Sequence, residues 1–144
     1  MVIGLLALTA AAIFFGAAIY VSVVEQPARM TLDDRALLAE WKPSYKRGTA
    51  MQAPLALVGF ALGMIAWWQS SHPGFLIGAI AMIAPWPWTL FAIKPTNDAL
   101  TATDLERAGP PSRALIVRWG ALHAVRTALG ALASLAFLWA CAAR

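Results

Sequence analysis

Four long apolar runs divide this chain, and the polar residues between them are unevenly shared. Val2 to Val24 carries no charge and is long enough to cross a hydrocarbon layer. Glu25 follows at once, and Pro27 predicts the end of the helix soon after. Thr31 to Trp41 opens with a threonine cap and early aspartates, and has leucines at 32, 37 and 38. That pattern predicts a short helix lying at the membrane interface, in the first long loop. Pro43 suits the first turn of a new helix, which Ser44 to Arg47 would lead into the membrane. Gly48 to Ser71 is the second span, with a kink at Pro54 and with Trp67 and Trp68 at its far end.

The connection from Gln69 to Pro73 has room only for a tight turn between antiparallel helices, and His72 there reads as a simple polar residue. The third span runs from Pro73 to Ile93. Its prolines at 85 and 87 each remove a backbone donor, so this helix should open where it lines a cavity or where neighbours satisfy the freed groups. After it come Lys94 to Asp98, then a loop with charged residues and the Gly109-Pro110-Pro111 break. The fourth span covers residues 114–142, yet its uncharged part is only the 17 residues from Thr127 to Ala143. About 20 are needed, so the helix must draw Arg126, and His123 with it, below the headgroups.

The expectation is a single all-α domain, an integral membrane bundle of four helices in up-down order. With 60% hydrophobic and 12% charged residues, the 144-residue chain has more apolar surface than a soluble domain of this size could hide. The net charge of +4 does not point to nucleic acid, because the basic residues lie between spans and act as orientation signals. The loop between spans one and two holds Arg29, Arg35, Lys42, Lys46 and Arg47, and the loop between three and four holds Lys94, Arg107 and Arg113. Arg118 stands at the base of the fourth helix, and the opposite side has only Arg144. Positive-inside counting then places both long loops in the cytoplasm and both termini outside it, here in a bacterial inner membrane. Met1 to Val24 lacks a basic leader and exceeds a signal-peptide core, so it reads as a retained span. The single cysteine, Cys141, excludes an internal disulfide and paired-cysteine redox chemistry. No internal repeat is present, which weighs against a small transporter.

An up-down bundle gathers four helix ends at the cytoplasmic side. These bring Glu25 and Arg29, Trp41 and Tyr45, Asn97 and Asp98, and Trp119, His123 and Arg126. At about 100° per residue, Trp119, His123 and Arg126 share an arc of roughly 60°, which marks one helix face. Arg126 has two readings: a structural one, an ion pair with Glu25 as the nearest candidate or snorkelling to the interface, and a functional one, the holding of an anion or substrate. His123 is either a hydrogen-bonded packing residue or a proton carrier. No cofactor is expected. A single metal ion at His123 is the one alternative, and Glu25 and Asn97 would make a poor remainder for a soft metal. Trp41 and Trp119 are either interfacial belt residues or the flat walls of a pocket.

With those residues in place, the chain resembles the anthrone-oxygenase-like family of small four-helix membrane proteins. The resemblance rests on the Glu25-Gln26-Pro27-Ala28-Arg29 end of the first helix, Trp41 and Tyr45, Asn97, and the set Trp119, His123 and Arg126, and it covers nearly the whole chain. It implies an oxygenase that turns an anthrone into an anthraquinone, as associated with some fungal members. His123 would then be the base and Arg126 the cation that steadies an oxyanion. Glu25, Arg29, Trp41, Tyr45, Asn97 and Trp119 would bind a hydrophobic aromatic or quinone-like molecule arriving from the bilayer. The alternative is a non-catalytic membrane subunit or scaffold that docks a partner protein or lipid with the same polar end. The lipid bilayer and a hydrophobic small molecule are the expected partners, with a second copy of the chain as a further candidate.

Overall fold

The computed structural model describes residues 2–143, so Met1 and the Arg144 counted above lie outside the described residues. Four helices are long and apolar enough to cross a membrane: α1 (Val2–Arg29), α2 (Asp34–Ser70), α3 (Pro73–Ala102) and α4 (Pro110–Ala142). Each packs mainly on its two neighbours in the ring α1–α2–α3–α4, and α2 and α4 touch less across the diagonal. This is the expected four-helix membrane bundle. Among the described residues there is no strand.

Three expectations need correction. The segment 31–41 is not a separate interfacial helix, because α2 takes in its residues from Asp34 onward and runs unbroken through Pro43 and Pro54. Asp33, not Thr31, is the cap, its Oδ1 accepting from the Ala36 N–H at 2.9 Å. Leu37, Leu38 and Trp41 are fully buried, packed with Ile93, Leu100, Ile116 and Trp119. Burying three such side chains contributes about 1.5–3 kcal/mol each, against about 3 kcal/mol for one interior proline. Packing therefore wins. At 1.5 Å per residue the 37 residues of α2 span roughly 55 Å, so one end stands well clear of a bilayer core of about 30 Å.

The second correction is that α3 runs on past Asp98 to Ala102, into the stretch expected to be loop, with Thr96, Asn97 and Leu100 buried. The third concerns α4, which starts at Pro110, within the Gly109-Pro110-Pro111 stretch expected to be a break, with prolines in its first turn and Ser112 Oγ accepting from the Gly109 N–H at 3.0 Å. The tight turn between α2 and α3 is as expected. Ser71 there takes a left-handed conformation (φ 56°). His72 does more than add polarity, because its Nδ1 accepts from the Gly74 N–H and caps α3.

α3 opens as its prolines require. It is α-helical to Ile83, turns at Ala84, makes one α-turn over Pro85–Trp88, and widens to a π-turn over Thr89–Ile93. The flanking indoles tie the opened stretch to both neighbours: Trp86 Nε1 donates to Ala53 O of α2 at 3.2 Å, and Trp88 Nε1 to Leu122 O of α4 at 3.0 Å. α1 has a matching π-turn, Val21–Glu25. In each, the residue just before a proline closes the wide ring, Gln26 N–H to Val21 O and Lys94 N–H to Thr89 O. A proline ring presses on the carbonyl four residues back. One extra residue per turn relieves that pressure, so Pro27 and Pro95 account for both π-turns.

Candidate functional site

Arg126 is the middle residue of the 33-residue α4 and is 9% exposed. Its Nη2 donates to Gln52 Oε1 of α2 at 3.1 Å, and its Nη1 lies 3.5 Å from Thr89 Oγ1 in the α3 π-turn. The guanidinium also lies 5.7 Å from the Phe14 ring centre of α1. All four helices therefore meet at this one cation. No ion pair to Arg126 exists among the described residues, and its Nε is buried without a hydrogen-bond partner. The expected pairing with Glu25 is not made. Glu25 is taken instead by Arg29, one turn along the same helix at 2.5 Å, and by Ser44 Oγ.

Arg126 borders a cavity of about 230 Å³ in the seam between α2 and α3. Tyr45, Thr49, Ala53 and Ala56 form one wall and Pro85, Trp86, Thr89 and Leu90 the other. Asn97 and the Lys94–Asp98 ion pair (2.6 Å) sit at its polar end. Apolar walls with a few polar groups at one end are the usual make-up of a small-molecule site. Trp86 and Leu90 are 36% and 50% exposed on the outer surface, so the seam faces the hydrocarbon of a surrounding bilayer. Asn97 is buried, and its Oδ1 also lacks a partner. Arg126 Nε and Asn97 Oδ1 are thus an unmatched donor and an unmatched acceptor on residues that line the cavity, both atoms enclosed by protein.

A second cavity of about 30 Å³ lies behind this wall. It shares Tyr45, Thr49, Asn97 and Arg126 with the first and adds Ser44, Gln52, Trp119 and His123. That volume suits about one water molecule, and the lining supplies more than the two to four polar partners a buried water needs. His123 lines only this smaller space. Its tautomer follows from counting hydroxyl protons. Thr127 gives its only one to Ala18 O at 3.1 Å. Ser22 Oγ, 2.8 Å from Thr127 Oγ1, must then donate to Thr127. With that proton committed, Ser22 accepts at 3.3 Å from His123 Nδ1. Nδ1 carries the ring proton and Nε2 keeps the basic lone pair.

Of the eight side chains singled out in the sequence, Tyr45, Asn97 and Arg126 line both cavities, and Trp119 and His123 line the smaller. Trp119 stacks on His123 with ring centres 5.0 Å apart. Glu25, Arg29 and Trp41 line neither. Trp41 is neither belt nor wall but fully buried, stacked on Tyr45 at 4.9 Å and edge-on to Trp119 at 5.9 Å. It holds those two rings in place. Arg29, 3% exposed, is bound by Glu25, by Glu40 at 2.9 Å and by Ser44 at 2.9 Å, with its guanidinium 5.5 Å from the Trp119 ring centre.

Gln52, Thr89, Ser22 and Ser44 were missed. One signal was available: Tyr45, Thr49, Gln52 and Ala56 recur at helical spacing, and two of them are isolated polar residues in an apolar run. Among the described residues no three His, Cys, Asp or Glu side chains gather into a group able to hold a metal ion.

Fold and site together define a small polytopic membrane protein with an arginine-backed cavity between two helices. The model of the anthrone oxygenase family matches residues 41–136, and the chain belongs to that family. No curated protein and no solved structure matches it.

Proposed function

We propose that this chain is a membrane oxidoreductase that oxidises a flat, hydrophobic anthrone-like molecule with dioxygen in the α2–α3 cavity. One observation carries the reading: a buried arginine with no carboxylate partner among the described residues borders an apolar cavity that faces the bilayer. An unpaired buried charge is unfavourable unless something else meets it. An enolate or phenolate oxygen would, and Asn97 adds a second polar contact. The cavity is smaller than the about 300–1,000 Å³ typical of drug-sized ligands, which suits a compact, rigid, unbranched ring system. The family's description as anthrone oxygenases agrees with that ligand class.

The chemistry follows from the groups present. Removing a proton from the activated methylene leaves an anion whose oxygen rests on Arg126. His123 Nε2 is the base and acts through a water in the smaller cavity. The carbanion carbon then bonds to dioxygen, and the O–O bond breaks as the second methylene hydrogen leaves. In sum, the methylene loses two hydrogens and gains a carbonyl oxygen, while dioxygen supplies that oxygen and one water. Tyr45 and Trp86 offer the ring faces against which a planar substrate would lie.

The test uses purified protein in detergent, a panel of anthrones and quinols, oxygen consumption as readout, and metal analysis in parallel. Wild type should turn over at least one anthrone. His123→Ala should lower turnover by roughly 10²–10⁴-fold with the fold intact, as expected for a lost general base. Arg126→Gln should weaken ligand binding as well. Stoichiometric iron or copper would replace the metal-free mechanism. A folded protein that neither binds nor oxidises any of the panel would leave the scaffold reading standing.

A further inference from the structure

The ionised groups around the two cavities are out of balance in opposite senses. Arg126 is one buried cation without a carboxylate among the described residues. On the other side of the smaller cavity, one guanidinium, Arg29, is shared by two carboxylates, Glu25 and Glu40. With all three ionised, that cluster carries one negative charge in excess. Its arginine is enclosed, its side chain 1% exposed and its Nη1 without a partner. Its carboxylates reach the outside, at 25% and 35% side-chain exposure.

Ser44 joins the two halves. Its side chain lines the smaller cavity, accepts from Arg29 Nη2 at 2.9 Å and donates to Glu25 Oε1. His123, with Nε2 basic, lines the same cavity. A single water there completes a path from His123 through Ser44 to Glu25, with Glu40 beside it at the surface.

We propose that the Glu25–Glu40 pair is the proton store of this site, loaded from His123 through one cavity water and the Ser44 hydroxyl. It deepens the reading above and rests on it for the source of the proton. When the substrate gives up its methylene proton, the cavity water relays it to His123 Nε2, and the same water, turned toward Ser44, then takes it back. The water passes one of its own protons to Ser44 Oγ, and the Ser44 hydroxyl proton moves to the Glu25 carboxylate. No electrons change hands along the path. Its two ends then become neutral together, the new anion on Arg126 and the added proton on the acid pair. In a low-dielectric setting the removal of two opposite imbalances favours the deprotonated substrate. The path runs in reverse when the departing oxygen is released as water.

Proton exchange tests this without any substrate. The chain has two histidines, and His72 at the opposite end is an internal control. In protein labelled with 15N-histidine in detergent micelles, proton transfer on and off His123 Nε2, read as exchange broadening of its 15Nε2 signal, should be severalfold slower in Ser44→Ala and in Glu25→Gln, with His72 unchanged. Ser44→Thr, which keeps the hydroxyl, should hold the wild-type rate. Thermal melting identifies any variant that is not folded, and the remaining one, on a different helix, still decides. Wild-type exchange at His123 in a folded Ser44→Ala or Glu25→Gln protein would overturn the proposal. Failure of every anthrone to react would instead overturn the oxidoreductase reading and leave the exchange result intact.

Discussion

Gln52 shows how one side chain sets the terms for another. It is 3% exposed, and its amide oxygen is the closest acceptor to the Arg126 guanidinium. A neutral amide satisfies a donor without cancelling the charge, so Arg126 keeps its pull on an anion. A carboxylate at the same place would hold the cation and close the site. Gln52→Leu should therefore cost on the order of 1–3 kcal/mol, the usual penalty for orphaning a buried polar group. It would be read as a lower melting temperature in detergent. A phenolate ligand should recover part of the loss, since it supplies the missing acceptor. A Gln52→Leu protein that melts like wild type would show that the arginine reaches solvent unaided.

At the scale of elements, small residues decide how closely the helices approach. Phe137 of α4 is fully buried between Gly63 of α2 and Gly78 of α3. A Cβ on Gly78 would lie 2.3 Å from the Phe137 ring, and one on Gly63 2.8 Å from it. Gly78→Ala should then destabilise by about 1–3 kcal/mol through overpacking. Gly16, where nothing lies within 4 Å of an added Cβ, is the matched control. Gly16→Ala should be neutral or slightly stabilising, because alanine is the better helix former. Thermal melts that cannot tell the two variants apart would contradict this packing. The π-turns belong to the same scale, since they set Thr89 and Ser22 where they meet Arg126 and His123.

For the molecule as a whole, charge is confined to one end. All seven acidic residues and nine of the eleven basic ones lie at the end of the long connections, with Arg126 in the middle of the bundle and Arg144 beyond the described residues. Side-chain bonds tie that end together. Arg113 reaches Asp34 at 2.5 Å and Met30 O at 3.1 Å, and Lys42 reaches Thr101 O and Thr103 O at 3.0 and 2.6 Å. The excess of basic residues leads to the expectation that this end is cytoplasmic and both termini are outside. Single cysteines at Ser71 and Asp104, both exposed, placed in a Cys141-free background, should label from opposite faces of the membrane. Labelling of position 104 from outside would reverse the orientation.

What the sequence determined by itself was the class of molecule and the residues worth watching. Apolar run length fixes the number of spans, because a bilayer tolerates no unsatisfied backbone and demands about 20 residues per crossing. A short uncharged stretch in α4 forces His123 and Arg126 inward whatever the rest of the chain does. The prolines at 85 and 87 likewise announce an opened helix. The tertiary structure decided who meets whom. Whether Arg126 faced Glu25 or Gln52 depended on the depth and rotation of α1 and α2, which periodicity does not specify. Trp41 became core rather than wall, and Pro43 was absorbed into a long helix, because burial against Ile93, Leu100 and Ile116 outweighed a local preference. The larger cavity exists only where three helices converge and the smaller only where all four do. Each helix carries at most its own stripe of lining residues, and nothing local says which stripes will face one another.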